Sequence, residues 1–302
     1  HSQPVEEFMR DYYLHATNIY TFSKNLFEHC RQSKRSLKKV ISSLTKKAMG
    51  NGFHISDSSL IYEGDAKEDF KKDKLLLLTA LELCKQHQVL PDFKLHRQMR
   101  LSKNLVNAQF VNTEEVRNFL FSVLKNKTAE KILRLMHETN ILGQILPEFG
   151  LSHCKVNHDF YHHYTADEHS LRVIRFLDEL FVTSITNPTD LSALYQDYPR
   201  KGILKLSALV QSLRKIPAGD PEEFLGPLTK RLNLKKSDSQ ILFFLLNNPY
   251  TMIETALHQD IHQPAVIRKF AETVANPERL KGLYLLSYAE LRAVAPGTLT
   301  AW

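Results

Sequence analysis

The feature that most constrains the fold of this chain is the spacing of apolar residues near its N-terminus. Apolar side chains recur there at three- and four-residue steps, at Val5, Phe8, Met9, Tyr12, Ala16, Ile19, Tyr20, Leu26, Phe27 and Cys30. Steps of this size place side chains on one face of an α-helix. The pattern therefore predicts one long amphipathic helix that runs from about Val5 into the basic segment 31–39.

Composition favours the same class of structure over the whole chain. Only 10 glycines and 12 prolines occur in 302 residues, too few for an all-β protein that is rich in tight turns. Two short alternating runs on either side of Asp57-Ser58-Ser59 indicate one small β-hairpin near 53–62. The predicted fold class is mainly α, a multi-helix bundle with that hairpin.

Helical spacing continues through the rest of the chain. It covers 70–86, resumes at a helix start on Asn112 or Thr113, and ends in a further helix near Asn140. Later helices are predicted over 167–181, 201–215, 237–247 and 277–293. Asn276 is the expected N-cap of the last helix, and Pro277 takes its first helical position.

Charge and cysteine content restrict the partners and the compartment. The net charge is +7, but the basic residues are spread along the chain. The one dense basic run, 31–39, still has apolar residues at helical spacing, which indicates that its basic residues lie on the solvated face of a helix. With no recognisable nucleic-acid-binding motif beside it, nucleic acid is not an expected partner. Three scattered cysteines suit a reducing compartment. No apolar run reaches the length of a membrane span, and we expect a cytoplasmic protein.

The stretch 158–180, "HDFYHHYTADEHSLRVIRFLDEL", combines histidines with carboxylates and invites interpretation as a metal site. Thr165 and Glu168 have the spacing of a capping box, and Asp167 adds negative charge to the first helical turn. Leu171, Ile174, Leu177 and Leu180 form the predicted buried stripe, with Arg172, Arg175, Asp178 and Glu179 outside it. His169 lies beside the stripe and is expected to point inward.

Four segments resemble the bacterial PII-protein uridylyltransferase/uridylyl-removing enzyme family, in matching order. They are "VEEFMRDYYLHA" at 5–16, "LPEFG" at 146–150, "HDFYHHYTADEHSLRV" at 158–173 and "YAELRAVAPGTLTAW" at 288–302. The resemblance implies a nucleotidyltransferase domain before this region, an HD-type phosphohydrolase domain within it, and two glutamine-sensing ACT domains after it.

The transferase signature of that family is absent from this sequence. A nucleotidyltransferase needs Gly-Ser followed closely by Asp-x-Asp, yet no glycine here precedes a serine and no Asp-x-Asp occurs. The resemblance therefore implies an excised central fragment. Residues 1–145 are expected to be a helical region that follows the transferase domain, and residues 146–302 an HD-like helical domain.

The resemblance also implies where metal ligands should lie. HD-type sites use a first His, a later His-Asp pair and a distant Asp to hold a metal whose bound water attacks a phosphodiester. His169 matches the first His, so His158-Asp159 is not the His-Asp pair that gives HD-type domains their name. Gln211 and Ser212 occupy the positions of the His-Asp pair, and Glu290 occupies the position of the distant Asp. Pro249 lies at or near the position of a further expected His. The family's Lys remains as Lys215.

The predicted pocket, His169, Gln211, Ser212, Lys215 and Glu290, is therefore vestigial, with no metal, no cofactor and no catalytic residue expected. Additional ligands from elsewhere would be needed to restore a metal site, and four candidate histidines are available, namely His153, His158, His162 and His163. His162 also matches a family position. His258 and His262 have helical metal-ligand spacing, but Gln263 and Pro264 follow at once and favour a loop.

Three functions remain open from the sequence. The favoured one is a non-catalytic scaffold, a PII-docking surface or a relay between flanking transferase and ACT domains in nitrogen signalling. The second is residual metal-dependent phosphodiester hydrolysis, which would use His169, Glu290 and further histidines. The third is metal-free binding of a nucleotide or phosphate by His169, Gln211 and Lys215.

Overall fold

The computed structural model describes residues 5–33, 47–156, 164–181, 191–211 and 221–295. Helices dominate these residues, and their strands form a four-stranded sheet. The prediction of a mainly α chain with a small β element is confirmed. The chain divides into two compact units: an N-terminal unit of residues 1–123, 131–150 and 154–156, and a C-terminal unit of residues 124–130, 151–153 and 157–302.

The N-terminal unit is a set of mostly short helices around the sheet. Its strands are β1 (Lys47–Gly50), β2 (Phe53–Ser56), β3 (Ser59–Tyr62) and β4 (Leu90–Pro91). Its helices, apart from the few residues assigned to the C-terminal unit, are α1 (Val5–Ser33), α2 (Ala66–Lys72), α3 (Leu75–His87), α4 (Phe93–Leu101), α5 (Ala108–Val111), α6 (Glu114–Leu124), α7 (Ala129–Glu138), α8 (Leu142–Ile145) and α9 (Pro147–Gly150). A single 3-10 turn, Lys103–Leu105, lies between α4 and α5.

The predicted hairpin is confirmed as β2 and β3, which pair antiparallel with Phe53 opposite Tyr62. Asp57 and Ser58 join the strands with φ angles of 49° and 63°. Two consecutive positive φ angles are typical of a type I′ turn, whose twist matches that of the strands. The buried rings of Phe53 and Tyr62 lie 4.7 Å apart and anchor the hairpin to the core.

The sheet is larger than the sequence pattern predicts. β1 adds to β2 on one side, and β4 pairs in parallel with β3 on the other. A strand of two residues, Leu90–Pro91, has no periodicity that a sequence pattern could reveal, and proline is tolerated at such an edge. The helix expected over 70–86 is instead two helices, because the chain turns at Asp73, whose side chain accepts from the Leu75 N–H at 2.9 Å.

Helix α1 is present as predicted, but its apolar stripe is not part of the core. Val5, Phe8, Tyr12, Ile19 and Leu26 are each more than half exposed. The periodicity thus predicts the helix but not its burial, because an amphipathic pattern does not specify what covers the apolar face. The expected continuation into the basic segment beyond Ser33 lies outside the described residues.

The C-terminal unit is helical. It contains α10 (Ala166–Glu179), α11 (Leu191–Asp197), α12 (Lys201–Leu209), α13 (Pro221–Arg231), α14 (Lys236–Asn247), α15 (Thr251–His258), α16 (Pro264–Val274) and α17 (Pro277–Val294). Helix α10 packs against α12 and α17, and α14 packs against the same two helices. The shared core includes Leu171, Ile174, Leu204, Leu245 and Leu286, all fully buried.

Four helices of this unit begin where the sequence predicts. α17 begins at Pro277, and the Asn276 side chain accepts from the Arg279 N–H at 2.9 Å. α12 ends at Leu209, earlier than the predicted residue 215, and residues 212–220 are not described. Among the described helices, none has both the length and the apolar character needed to cross a bilayer.

Candidate functional site

A buried histidine–carboxylate pair joins α10 to α17. His169 Nε2 lies 2.7 Å from Glu290 Oε2, and each side chain is only 4% exposed. The apolar stripe of α10, with Leu171 and Ile174 fully buried, turns the His169 face of the helix towards α17. Two residues that are 121 positions apart in the sequence are thereby brought into direct contact.

The contact engages Nε2 of His169 and one carboxylate oxygen of Glu290 with each other. These are the two side chains that the resemblance aligns with metal ligands. In this geometry the pair acts as a buried cross-link between two helices.

A second histidine–carboxylate pair lies near the start of α10. His153 Nδ1 is 2.9 Å from Asp167 Oδ2, and the other oxygen of Asp167 accepts from the Glu168 N–H at 3.0 Å. Asp167 is buried, whereas the His153 side chain is 32% exposed. Asp167 and His169 are two positions apart and so project from different sides of the helix. Within the described residues, the two pairs are therefore separate features.

The capping box expected at the start of α10 is wrong in its chemistry. Thr165 does occupy the N-cap position with extended backbone angles, but its side chain makes no capping hydrogen bond. Asp167, expected from the sequence only as a negative charge in the first helical turn, is also bonded to His153 and to the helix backbone. The sequence pattern identifies the helix start correctly and assigns the wrong side chain to it.

The other predicted pocket residues are described only in part. Gln211 is half-buried in the turn after α12. Ser212, Lys215, His158, His162 and His163 lie outside the described residues. His258 ends α15, and His262 lies in the exposed turn that follows, so the expected loop is confirmed and these two histidines do not share a helix face.

The C-terminal unit also contains a buried ion pair that the sequence analysis misses. Lys205 Nζ donates to Asp178 Oδ1 and, at 2.7 Å, to the Asn126 carbonyl. The second oxygen of Asp178 accepts from the Glu130 N–H at 2.8 Å. Both ends of the pair are thus hydrogen-bonded inside a low-dielectric core, as a buried charge requires.

Burial dominates the electrostatics of this pair. It raises the pKa of the Asp178 carboxyl from 3.8 to about 6, although the Lys205 ammonium acts in the opposite direction. It lowers the pKa of Lys205. The expected solvent position of Asp178 is wrong, and a signal for this existed. Leu171, Ile174 and Asp178 follow the i, i+3, i+7 steps of one helix face, so Asp178 lies on the buried stripe.

The fold and these sites define the class of the molecule: a mainly α protein whose C-terminal unit has its helices cross-linked by buried polar pairs. Comparison with known proteins identifies the relationship more closely. Residues 55–145 match the family described as uridylyltransferase GlnD, third domain.

Relatives that match more of the chain are bifunctional uridylyltransferase/uridylyl-removing enzymes. The protein of Bradyrhizobium sp. (strain ORS 278) is 28% identical over 321 residues, which covers 99% of this chain and 34% of the relative. That of Chromobacterium violaceum is 30% identical over 241 residues, covering 77% of this chain and 28% of the relative. That of Caulobacter vibrioides is 27% identical over 322 residues, covering 99% and 33%.

The resemblance recognised from the sequence is confirmed by these matches. The chain is similar, over 99% of its length in two of these relatives, to a segment of the bifunctional uridylyltransferase/uridylyl-removing enzymes. It spans about a third of the length of the relatives it matches.

Proposed function

We propose that this chain is a non-catalytic, HD-like helical part of a uridylyltransferase-like signalling protein, in which it acts as a scaffold or relay. Residues 146–302 would form the degenerate HD-like domain. The flanking parts would be a nucleotidyltransferase domain and ACT domains, the partner would be a PII protein, and the compartment would be the cytoplasm.

The observation that carries this proposal is the direct bond between His169 and Glu290. Residues that the resemblance aligns with two metal ligands hydrogen-bond to each other at 2.7 Å, with both side chains buried. The metal that an HD-type site implies does not fit this donor set. Nε2 of His169 is engaged, and at the expected His-Asp pair stand an amide, Gln211, and a hydroxyl, Ser212, which are poor ligands for a transition metal.

A scaffold or relay needs rigid contact between its helices, and the pair supplies it. Buried hydrogen bonds that involve a charged group are stronger than neutral ones, and losing one partner leaves the other unsatisfied. We therefore assign His169 and Glu290 the role of fixing α10 against α17.

Metal analysis of the purified chain tests the proposal. We expect no stoichiometric Mn, Fe, Zn or Co after growth in metal-supplemented medium. A model phosphodiester should not turn over with added Mn²⁺. One metal per chain that disappears in His169→Ala would overturn the proposal. His15→Ala, at an exposed position of α1, is the matched control, because it removes a histidine that is no candidate ligand.

A further inference from the structure

Helix α1 presents its apolar stripe away from the unit to which it belongs. Val5, Phe8, Tyr12, Ile19, Phe22 and Leu26 are each more than half exposed. At 100° per residue these six side chains fall within about 100° of one another around the helix axis. From Val5 to Leu26 the stripe is about 32 Å long at 1.5 Å per residue.

The opposite side of α1 makes the contacts with the N-terminal unit. Thr17 Oγ1 lies 4.0 Å from Sγ of the buried Cys154, and Tyr13, Leu14 and Thr21 on the same side are half-buried. Thr17 and Ile19 are two residues apart and hence on different faces. The helix therefore contacts the unit through its other side and leaves the stripe of six apolar side chains uncovered.

An uncovered apolar stripe of this length is typical of an interaction site. The sequence at its N-terminal end argues against an anionic membrane, because Glu6, Glu7 and Asp11 are exposed there beside the single cation Arg10. We therefore expect the stripe to pack against an apolar surface of a protein.

The comparisons indicate which protein surface this is. The matched family is named as a third domain and begins at residue 55, so α1 precedes that domain in the chain. The relatives are about three times as long as the matched segment. We propose that α1 is an integral helix of the domain that precedes the third domain in these proteins, and that its apolar stripe is buried against the rest of that domain.

This inference rests on the proposal that the chain is part of a larger uridylyltransferase-like protein. It changes the role of α1 from a linker to an interface element. The occupant is a domain of the same polypeptide, held in place by continuity of the chain, so the stripe needs no high-affinity partner in solution.

Hydrogen exchange tests the proposal by comparing the natural gene product, with all residues that precede residue 1, with the 302-residue chain. We expect amide exchange over residues 5–26 to slow by at least about tenfold in the longer protein, since burial suppresses local opening. The double variant Ile19→Glu/Phe22→Glu should lower the Tm of the longer protein by several degrees. It should leave that of the 302-residue chain nearly unchanged.

A matched control is Leu101→Glu, which changes another exposed leucine of the N-terminal unit and should have no effect specific to the longer protein. Equal exchange in the two proteins would overturn the proposal, and so would a gene that encodes no domain-sized segment upstream. Dimerisation of the longer protein, or its binding to phosphatidylcholine vesicles, would overturn it too if abolished by the double variant. Metal content reports on the proposed function independently of all these outcomes.

Discussion

Asp178 and Lys205 illustrate how a single buried charge depends on its partners. The Lys205 side chain is fully buried and that of Asp178 is 10% exposed, so neither ion can be solvated. Each is satisfied by its partner and by one backbone group, the Asn126 carbonyl or the Glu130 N–H. Removing either partner leaves the other as an unpaired charge in the core.

Lys205→Met should lower the free energy of unfolding by about 3–5 kcal/mol at pH 7, because it strands the Asp178 carboxylate. Urea denaturation measures this. The double variant Asp178→Asn/Lys205→Met should recover part of the loss, since asparagine still accepts from Glu130. Lys236→Met, at an exposed position, should change stability by less than about 0.5 kcal/mol. A loss for Lys205→Met no larger than that would contradict the assignment.

The pH dependence of stability follows from the raised pKa of Asp178. With a pKa of about 6 in the folded state against 3.8 ordinarily, the folded protein holds the proton more tightly. The resulting stabilisation is complete below pH of about 3.8 and is lost as pH rises through about 6. The stability of wild type relative to Asp178→Asn should therefore fall between pH 4 and 6. A flat difference across that window, measured by urea denaturation, would exclude this titration.

At the scale of single elements, two helix starts differ in how they are capped. Asn276 caps α17 through its side chain, whereas Thr165 takes the N-cap position of α10 without a side-chain bond. Asn276→Ala should lower the free energy of unfolding by about 1 kcal/mol, and Thr165→Ala by much less. Thermal denaturation of both variants compares them. Equal losses of stability in the two variants would instead support the capping box that the sequence suggests.

Helix α17 also depends on a glycine for its close approach to a tyrosine. A Cβ at Gly282 would lie 2.5 Å from Tyr198 Oη, whereas one at Gly143 in α8 would meet nothing closer than 3.5 Å. Tyr198 is fully buried, so it cannot move aside easily.

Gly282→Ala should therefore destabilise the protein by about 1–3 kcal/mol through overpacking. Gly143→Ala, the matched control, should be neutral or stabilising by up to about 1 kcal/mol, since alanine favours helices. Adding Tyr198→Phe to Gly282→Ala removes Oη and should restore part of the loss. Equal Tm values for the two glycine variants would show that the approach is looser than the structure indicates.

At the scale of the whole molecule, the stability of the chain should not depend on a metal ion. A bound metal raises Tm by mass action, and its removal lowers it. We expect EDTA at about 5 mM, a large excess over any tightly bound metal ion, to leave the Tm unchanged. Subsequent addition of Mn²⁺ or Zn²⁺ should not raise it. A drop with EDTA that either metal reverses would contradict the proposed function.

Local patterns account for most of what the sequence predicts correctly. The helices near 5–33, 166–179 and 277–294, the Asp57-Ser58 turn and the Asn276 cap all depend on residues within a few positions of one another. Backbone preferences and periodic burial act over that range. The family resemblance is also a property of the sequence, and the comparisons confirm it.

Contacts between distant residues were decided only by the tertiary structure. The sequence by itself selected His169 and Glu290 through the resemblance, but their 2.7 Å contact depends on how α10 packs on α17. The burial of Asp178 beside Lys205 and the bond from His153 to Asp167 were decided in the same way. The periodicity of α1 determined a helix with an apolar face, but not what that face contacts. The physical reason is that periodicity defines a face, whereas its neighbours depend on the packing of elements far apart in sequence.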